Sequence, residues 1–323
     1  MNIARFADEL LDKTVVLSYT NVGYFLRRPF WKAVDASMQG KVCVVTGANS
    51  GLGKATTHHL AALGATVYMF CRNRERGEAA RAEIVEKSGN AQVFLEIVDL
   101  SSQASVRAGA ARLLDQSRRL DVLINNAGVL LDERLTSADG LEMTFATNTL
   151  GYFLLTELLL PRLRASAPSR VINVSSGGMY LAKLDVDDLQ FEQRPYDGVR
   201  AYAESKRAEV LLTRRWAERL AGAGVLVHAV HPGWAATPGV ERSLPTFLNV
   251  MRPFLRTPAQ GADTIVWLAT HPHLADEANG QFWFDRQARP VYKWLSPRNT
   301  PEELDRFFAA CHTLASLPQE HEG

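Results

Sequence analysis

The sequence predicts an α/β chain, a single-domain doubly wound parallel sheet with helices on both faces. Three observations carry that expectation. From Lys41 onward, short apolar or β-branched runs alternate with longer segments of helical spacing. The runs are apolar throughout, as strands buried on both faces of a parallel sheet are, rather than alternating with polar residues. No Pro-, Gly- or Ser-rich linker interrupts the pattern, so repeated strand–helix–strand units with right-handed crossovers account for it.

The expected strands are 42–46, 66–70, 92–98, 122–125, 171–175, 225–231 and 281–284, with helices beginning near Leu52, Arg76, Gln103, Leu141, Tyr202 and Ala259. That gives one domain over 40–285, flanked by 1–39 and 286–323. Both flanks are aromatic-rich (Tyr19, Tyr24, Phe25, Phe30 and Trp31; Tyr292, Trp294, Phe307 and Phe308). They read as flaps docked on the core, or as a surface that meets substrate or membrane.

Composition narrows the function. The chain has 323 residues, 46% of them hydrophobic, and a formal charge of +1, so it has apolar material for a core but no basic field for nucleic acid. Cys43, Cys71 and Cys311 form no CxxC pair, which fits a reducing compartment and a cytoplasmic location. Arg5, Asp8, Glu9, Asp12 and Lys13 give a charged N-terminus unlike a secretory leader, and no run reaches the roughly 20 apolar residues of a transmembrane segment. Peripheral membrane contact and homo-oligomerisation stay open. His58, His59, His271 and His273 lack partners at ligand spacing, so no metal site is expected.

The first strand runs into Thr46-Gly47-Ala48-Asn49-Ser50-Gly51-Leu52-Gly53, followed by a helical stretch. Glycines in such a turn let backbone amides approach a pyrophosphate, which then sits at the positive end of the helix: a Rossmann-type dinucleotide site. An acidic residue closing the second strand would bind a ribose hydroxyl and repel a 2′-phosphate. Here that strand ends Cys71-Arg72-Asn73-Arg74, and Arg72 offers a fork of donors suited to a phosphate. The cofactor expected is therefore NADP(H).

Tyr202 and Lys206 are four residues apart, one turn along a single helix face. A nearby cation favours the phenolate and draws its pKa toward working pH, making a usable general acid or base. Other strand ends carry Asn125-Asn126-Ala127-Gly128, Val174-Ser175-Ser176 and His231-Pro232-Gly233, with Asn148 in the helix between the first two. Tyr180 and Tyr196, which have no lysine four residues on, are expected to line a pocket.

Taken in order, these motifs resemble the short-chain dehydrogenase/reductase superfamily over roughly 40–285. The resemblance rests on TGANSGLG at 46–53, Asp99-Leu100, NNAG at 125–128, NTLG at 148–151, VSS at 174–176, YAESK at 202–206 and HPGW at 231–234. The long segment between Ser176 and Tyr202 is similar to the retinol-dehydrogenase-type branch. The resemblance implies that Tyr202 donates and accepts the proton, with Lys206 lowering its pKa and holding the nicotinamide ribose. Ser176, with Ser175 as the alternative, would bond the substrate oxygen, and Asn148 would position a relay water. Gly47, Asn49, Ser50, Gly51, Leu52 and Gly53 would line the phosphates and ribose. Asp99 and Leu100 would hold the adenine, and Asn126, Ala127 and Gly128 the adenosine ribose. Pro232, Gly233 and Thr237 would meet the nicotinamide end.

The activity so implied is an NADP(H)-dependent oxidoreductase interconverting an alcohol and a carbonyl on an apolar, lipid-like small molecule. The contrasting expectation is a catalytically silent dinucleotide-binding regulator, which need keep only the glycine turn. A nucleotide-sugar epimerase would share the Tyr–Lys pair but needs a larger substrate domain than the C-terminal remainder supplies.

Overall fold

In the computed structural model, residues 8, 11–12, 14–34, 36–236, 251–274, 277–293 and 297–317 are described. Among them eight strands form one sheet: β1 (Val42–Thr46), β2 (Thr66–Cys71), β3 (Val93–Ile97), β4 (Val122–Asn125), β5 (Ser169–Val174), β6 (Val225–His231), β7 (Phe282–Phe284) and β8 (Gln287–Arg289). The order is β3-β2-β1-β4-β5-β6-β7-β8. Every neighbouring pair is parallel except β7 and β8, which form an antiparallel hairpin. The order reverses between β1 and β4, and in an open α/β sheet that switch point opens a crevice at the carboxyl ends of the strands.

The helices are α1 (Val15–Tyr19), α2 (Asn21–Arg27), α3 (Gly51–Ala62), α4 (Arg74–Ser88), α5 (Gln103–Gln116), α6 (Met143–Phe145), α7 (Gly151–Ala165), α8 (Gly198–Arg219), α9 (Pro258–Thr270) and α10 (Pro301–Leu314). Between α6 and α7 lies a π-helical turn, Ala146–Leu150. Alternate residues of the strands feed two cores. Val44, Leu123, Val171 and Val227 face α5, α7, α8 and α10 through Leu113, Leu155, Trp216 and Phe307. Cys43, Val45, Ile124 and Ile172 face α3, α4 and α9 through Leu60, Ile84 and Leu268. Helices therefore cover both faces, and the doubly wound layer expected from the sequence is what forms.

Departures from the expected pattern have local causes. At the sheet edge, β3 alternates rather than staying apolar, and Phe94 is exposed and stacks on Tyr68. The two-residue turn at Asp285 and Arg286 takes positive φ at both positions (52° and 57°), the left-handed pair that a tight hairpin needs. It adds β8 just beyond the expected last strand.

The flanks pack as structural elements. α10 is closed at its start by a capping box between Thr300 and Glu303. It buries Phe307 and Cys311 completely, joining the first core. Removing a buried phenylalanine ring of this kind costs about 3–5 kcal/mol. On the N-terminal side, Arg27 donates to the carboxylates of Asp8 and Asp285 and to Ser18. Arg256 donates to both oxygens of Asp285, at 2.5 and 2.8 Å, and to the carbonyls of Ser18 and Thr20. Arg27, Arg256 and Asp285 are all buried, so α1 and α2 are held to the turn that joins β7 to β8.

Candidate active site

The glycine turn links β1 to α3 at the switch point. Gly47 has φ +66°, and a Cβ there would lie 2.9 Å from the Ala127 main chain. A Cβ on Gly53 would lie 2.4 Å from the Gly47 carbonyl and 2.6 Å from the Asn126 amide, so neither position admits a side chain without displacement. Gly51 also has positive φ (51°). Thr46 joins this turn to the end of β4: its hydroxyl accepts from the amides of Asn126 and Ala127, and its carbonyl accepts from Asn126 Nδ2. Beneath the turn, the amides of Ala48 and Asn49 donate to Cys71, whose thiol burial pushes up to about 12.

Ser50 precedes α3 without capping it through its side chain. The first-turn amides of a helix have no acceptor within the helix, so Gly51, Leu52 and Gly53 keep donors for an anion. Asn49 and Ser50 are half-buried beside them. Arg72 is exposed at the end of β2 and, among the described residues, makes no ion pair. Asp99 takes two hydrogen bonds on one oxygen, from the amide and hydroxyl of Ser101, and its own amide donates to Ser105 Oγ. Leu100 is different: its side chain is buried in the core, leaving only its main chain for a ligand. The residues present fit a dinucleotide: glycine-packed turn, uncapped helix start and an unpaired cation at the second strand end.

Beyond the switch point, four elements converge. Tyr202 is half-buried on α8, and the Lys206 ammonium lies 5.4 Å from the centre of its ring. Lys206 is buried and donates to the Val174 carbonyl at 3.0 Å and to Glu209 Oε1 at 2.7 Å. Burial alone would lower the Lys206 pKa; the negative charge of Glu209, with Tyr202, overcomes it and holds the pKa above the ordinary lysine value. Asn148 sits in the π turn, fully buried. Its amide donates to the Val129 carbonyl and to Ser205 Oγ, and its Oδ1 accepts from Val129 N. π turns recur at functional sites, and this one aims Asn148 at the end of β4. Gly128 is exposed between Asn148 and Lys206; a Cβ there would lie 3.4 and 3.5 Å from Asn148 Oδ1 and Lys206 Nζ.

The two serines at the end of β5 differ. Ser175 is buried and its hydroxyl donates to the Lys206 carbonyl. Ser176 is half-buried and its oxygen accepts from Gly178 N, opening the short Gly177–Leu181 turn; among the described residues its own proton has no acceptor. Segment 182–197 is pinned to α8 by Glu204, which receives Arg194 at 2.8 and 2.9 Å and Arg200 at 2.8 Å. Tyr196 bonds Glu142, and Tyr180 donates to the Pro290 carbonyl, so both phenols tie loops together.

Gly233 has φ +78°, and Arg256 fills the space a side chain would need, 2.5 Å from a Cβ. Pro232 beside it is half-buried. Thr237 lies outside the described residues.

Several contributors escape the motifs. Tyr19 packs its ring against Gly177, His231, Trp234 and Phe284. Tyr152 donates from α7 to the Ala127 carbonyl. Glu209 is a carboxylate on the buried face of α8, flanked by Ala208 and Val210. That last one had a signal in the sequence: an acid three residues past Lys206, where helical spacing keeps it on the lysine's side.

Residues 41–246 match the short chain dehydrogenase family. The chain belongs to that family, whose members are oxidoreductases. It is 43% identical over 300 residues to dehydrogenase/reductase SDR family member 12 of Bos taurus, a match covering 92% of this chain and 94% of the relative. Retinol dehydrogenase 12 of Homo sapiens is 42% identical over 266 residues, covering 82% of each. Among solved structures, an uncharacterised protein from Mycobacterium paratuberculosis superposes with a TM-score of 0.69 at 30% identity, over 90% of this chain and 99% of that one. The Pseudomonas aeruginosa RhlG/NADP active-site complex gives 0.64 at 27% identity, over 78% and 96%. The family match ends short of both flanks, whereas the match to member 12 takes in most of the chain.

Proposed function

We propose that this family member is an NADP(H)-dependent oxidoreductase that interconverts an alcohol and a carbonyl, with Tyr202 as general acid and base. The observation that carries the proposal is the buried Lys206 ammonium 5.4 Å from the Tyr202 ring. A desolvated cation beside a phenol favours the charged phenolate over the neutral form, which suits the pair to general acid–base work. When bound, the dinucleotide supplies the hydride. The chain does the rest. Ser176 donates its free hydroxyl proton to the substrate oxygen, and Ser175 serves as a support bonded to the helix. Asn148 holds the Val129 segment and Ser205, which keeps Tyr202 and Lys206 in register. Gly47 to Gly53, Asp99, Asn126, Gly128 and the Pro232–Gly233 turn form the cradle.

Arg72 supports NADP(H) over NAD(H), because an exposed guanidinium with no ion-pair partner among the described residues suits a 2′-phosphate. An apolar substrate is supported by Leu181, 79% exposed at the end of the Ser176 turn, and by relatives named retinol dehydrogenase. The arm also exposes Val16, Phe25 and Phe30 beside Arg28, a surface able to meet a lipid interface. Among the described residues no helix is long and apolar enough to cross a membrane. Three free, buried cysteines support the cytoplasm as the working compartment.

The test is turnover of retinoid, steroid and aliphatic carbonyls with NADPH and with NADH, run beside Tyr202→Phe. The expected result is NADPH-preferring turnover that falls about 100- to 10,000-fold in the variant. Full activity in Tyr202→Phe overturns the assignment. NADPH binding without turnover of any substrate favours the regulatory reading instead.

A further inference from the structure

Glu209 is completely buried, bonded through Oε1 to Lys206, and its second oxygen has no hydrogen-bond partner among the described residues. Charge in such a place is costly: burial pushes the Glu209 carboxyl up to about 8 against the pull of the Lys206 ammonium, so that cation is what favours its ionised form. The charged and titratable groups acting around it are few: Lys206 one turn back on α8, and Tyr152 from α7, whose hydroxyl is committed to the Ala127 carbonyl. From β5 the facing group is the Val174 carbonyl, which is neutral and bonded to the same ammonium.

We propose that Glu209 is a positioning residue that keeps Lys206 charged and fixes it beside Tyr202. This rests on the reading of Tyr202 as general acid and base. The reason is competition between burial and partners. A fully buried lysine left with a carbonyl as its partner loses several pKa units, enough to make it a neutral amine at working pH. A neutral amine donates hydrogen bonds but no longer stabilises a phenolate. Glu209 prevents that, and its bond to Nζ also stops the flexible side chain from swinging away from the Tyr202 ring.

The test is the pH profile of Glu209→Gln. Turnover in the variant should acquire a descending alkaline limb at least about one pH unit below that of the unmodified enzyme, because Lys206 now deprotonates there. Loss at the alkaline side should exceed about tenfold, while activity returns toward the original level as pH falls. Glu209→Asp, which retains the charge, should keep the original limb. The NADPH dissociation constant should change less than about threefold, since neutral Lys206 still donates to a ribose. An unchanged profile in Glu209→Gln overturns the proposal. If that variant does not fold, a double-mutant cycle decides. Lys206→Met and the pair Lys206→Met/Glu209→Met should show the same residual turnover, and a further drop in the pair means that Glu209 acts independently of Lys206. Should no carbonyl be turned over at all, ultraviolet titration of the Tyr202 phenolate, taken against Tyr202→Phe, reads the same effect. Its pKa should rise in Glu209→Gln, and an unmoved value overturns the role of Glu209 separately from the failure of the catalytic reading.

Discussion

The ring of Tyr19 lies against Gly177 so closely that a Cβ at position 177 would sit 2.5 Å from its Cε2 atom. Gly177 follows Ser176 directly, and its amide donates to His231 Nδ1. A residue in the N-terminal arm thereby backs the turn that presents the serine. Gly177→Ala should cost about 1–3 kcal/mol through overpacking, read by denaturant unfolding, and should lower kcat by disturbing Ser176. Combining it with Tyr19→Val should recover part of both losses. No recovery would show that the two side chains do not compete for that space.

Asp285 is the shared anion of Arg27 and Arg256, and all three side chains are buried. Asp285→Asn takes from the buried Arg256 guanidinium the carboxylate that holds it and leaves Arg27 with Asp8 alone, so a loss of about 3–5 kcal/mol is expected. Because the network is removed from solvent, the loss should be nearly the same at low and high salt. A change below about 1 kcal/mol would mean the arm detaches and hydrates at little cost.

Arg72 can be tested without touching the fold, since it is exposed at a strand end. Arg72→Ala should weaken NADPH by about 2 kcal/mol, roughly thirtyfold in Kd, and leave NADH almost unaffected. Equal effects on the two cofactors would assign the preference elsewhere.

Stability should fall as the solution is acidified, for a reason that lies in the second core. His228 accepts from the Trp283 indole, and burial, followed by the charge of Arg170, lowers its pKa to about 4. Burial likewise holds His231 well below the ordinary value, with Arg256 and Lys293 adding to it. An unfolded histidine titrates near about 6.5, so the unfolded chain takes up protons first. The stabilisation is complete above pH ~6.5 and is lost as pH drops from there toward about 4. For His228 alone this is about 3 kcal/mol, and His228→Asn should flatten the decline. An equally steep decline in that variant would place the titration in other groups.

The fold and the reacting groups were legible because both are written in local patterns. Apolar strands at fixed intervals give the sheet, and Tyr202 with Lys206 gives the pair, each within one element. What was hidden depends on distant elements meeting. Tyr19 looks like any aromatic in a flank until α1 is laid against Gly177. Thr46 looks like an ordinary β-former until β4 brings Asn126 to its hydroxyl. Glu209 falls between the two kinds. Its helical phase could be read from the sequence, but its lack of a second partner could not. Positions 285 and 286 illustrate another limit: neither Asp nor Arg announces the paired positive φ that their hairpin adopts.

The π turn at Ala146–Leu150 carries a consequence for how such a site could arise or be lost. A π turn inserts about one extra residue into the same advance along the axis, so residues before it are rotated by about 100° relative to an uninterrupted helix. The C-terminal part can therefore keep Leu155, Leu159 and Leu163 in the core while Asn148 points in a different direction, toward Val129 and Ser205. Deleting a single residue from this turn would let the helix become regular and still pack, yet swing Asn148 out of phase. Activity could disappear there by one codon without any loss of folded protein.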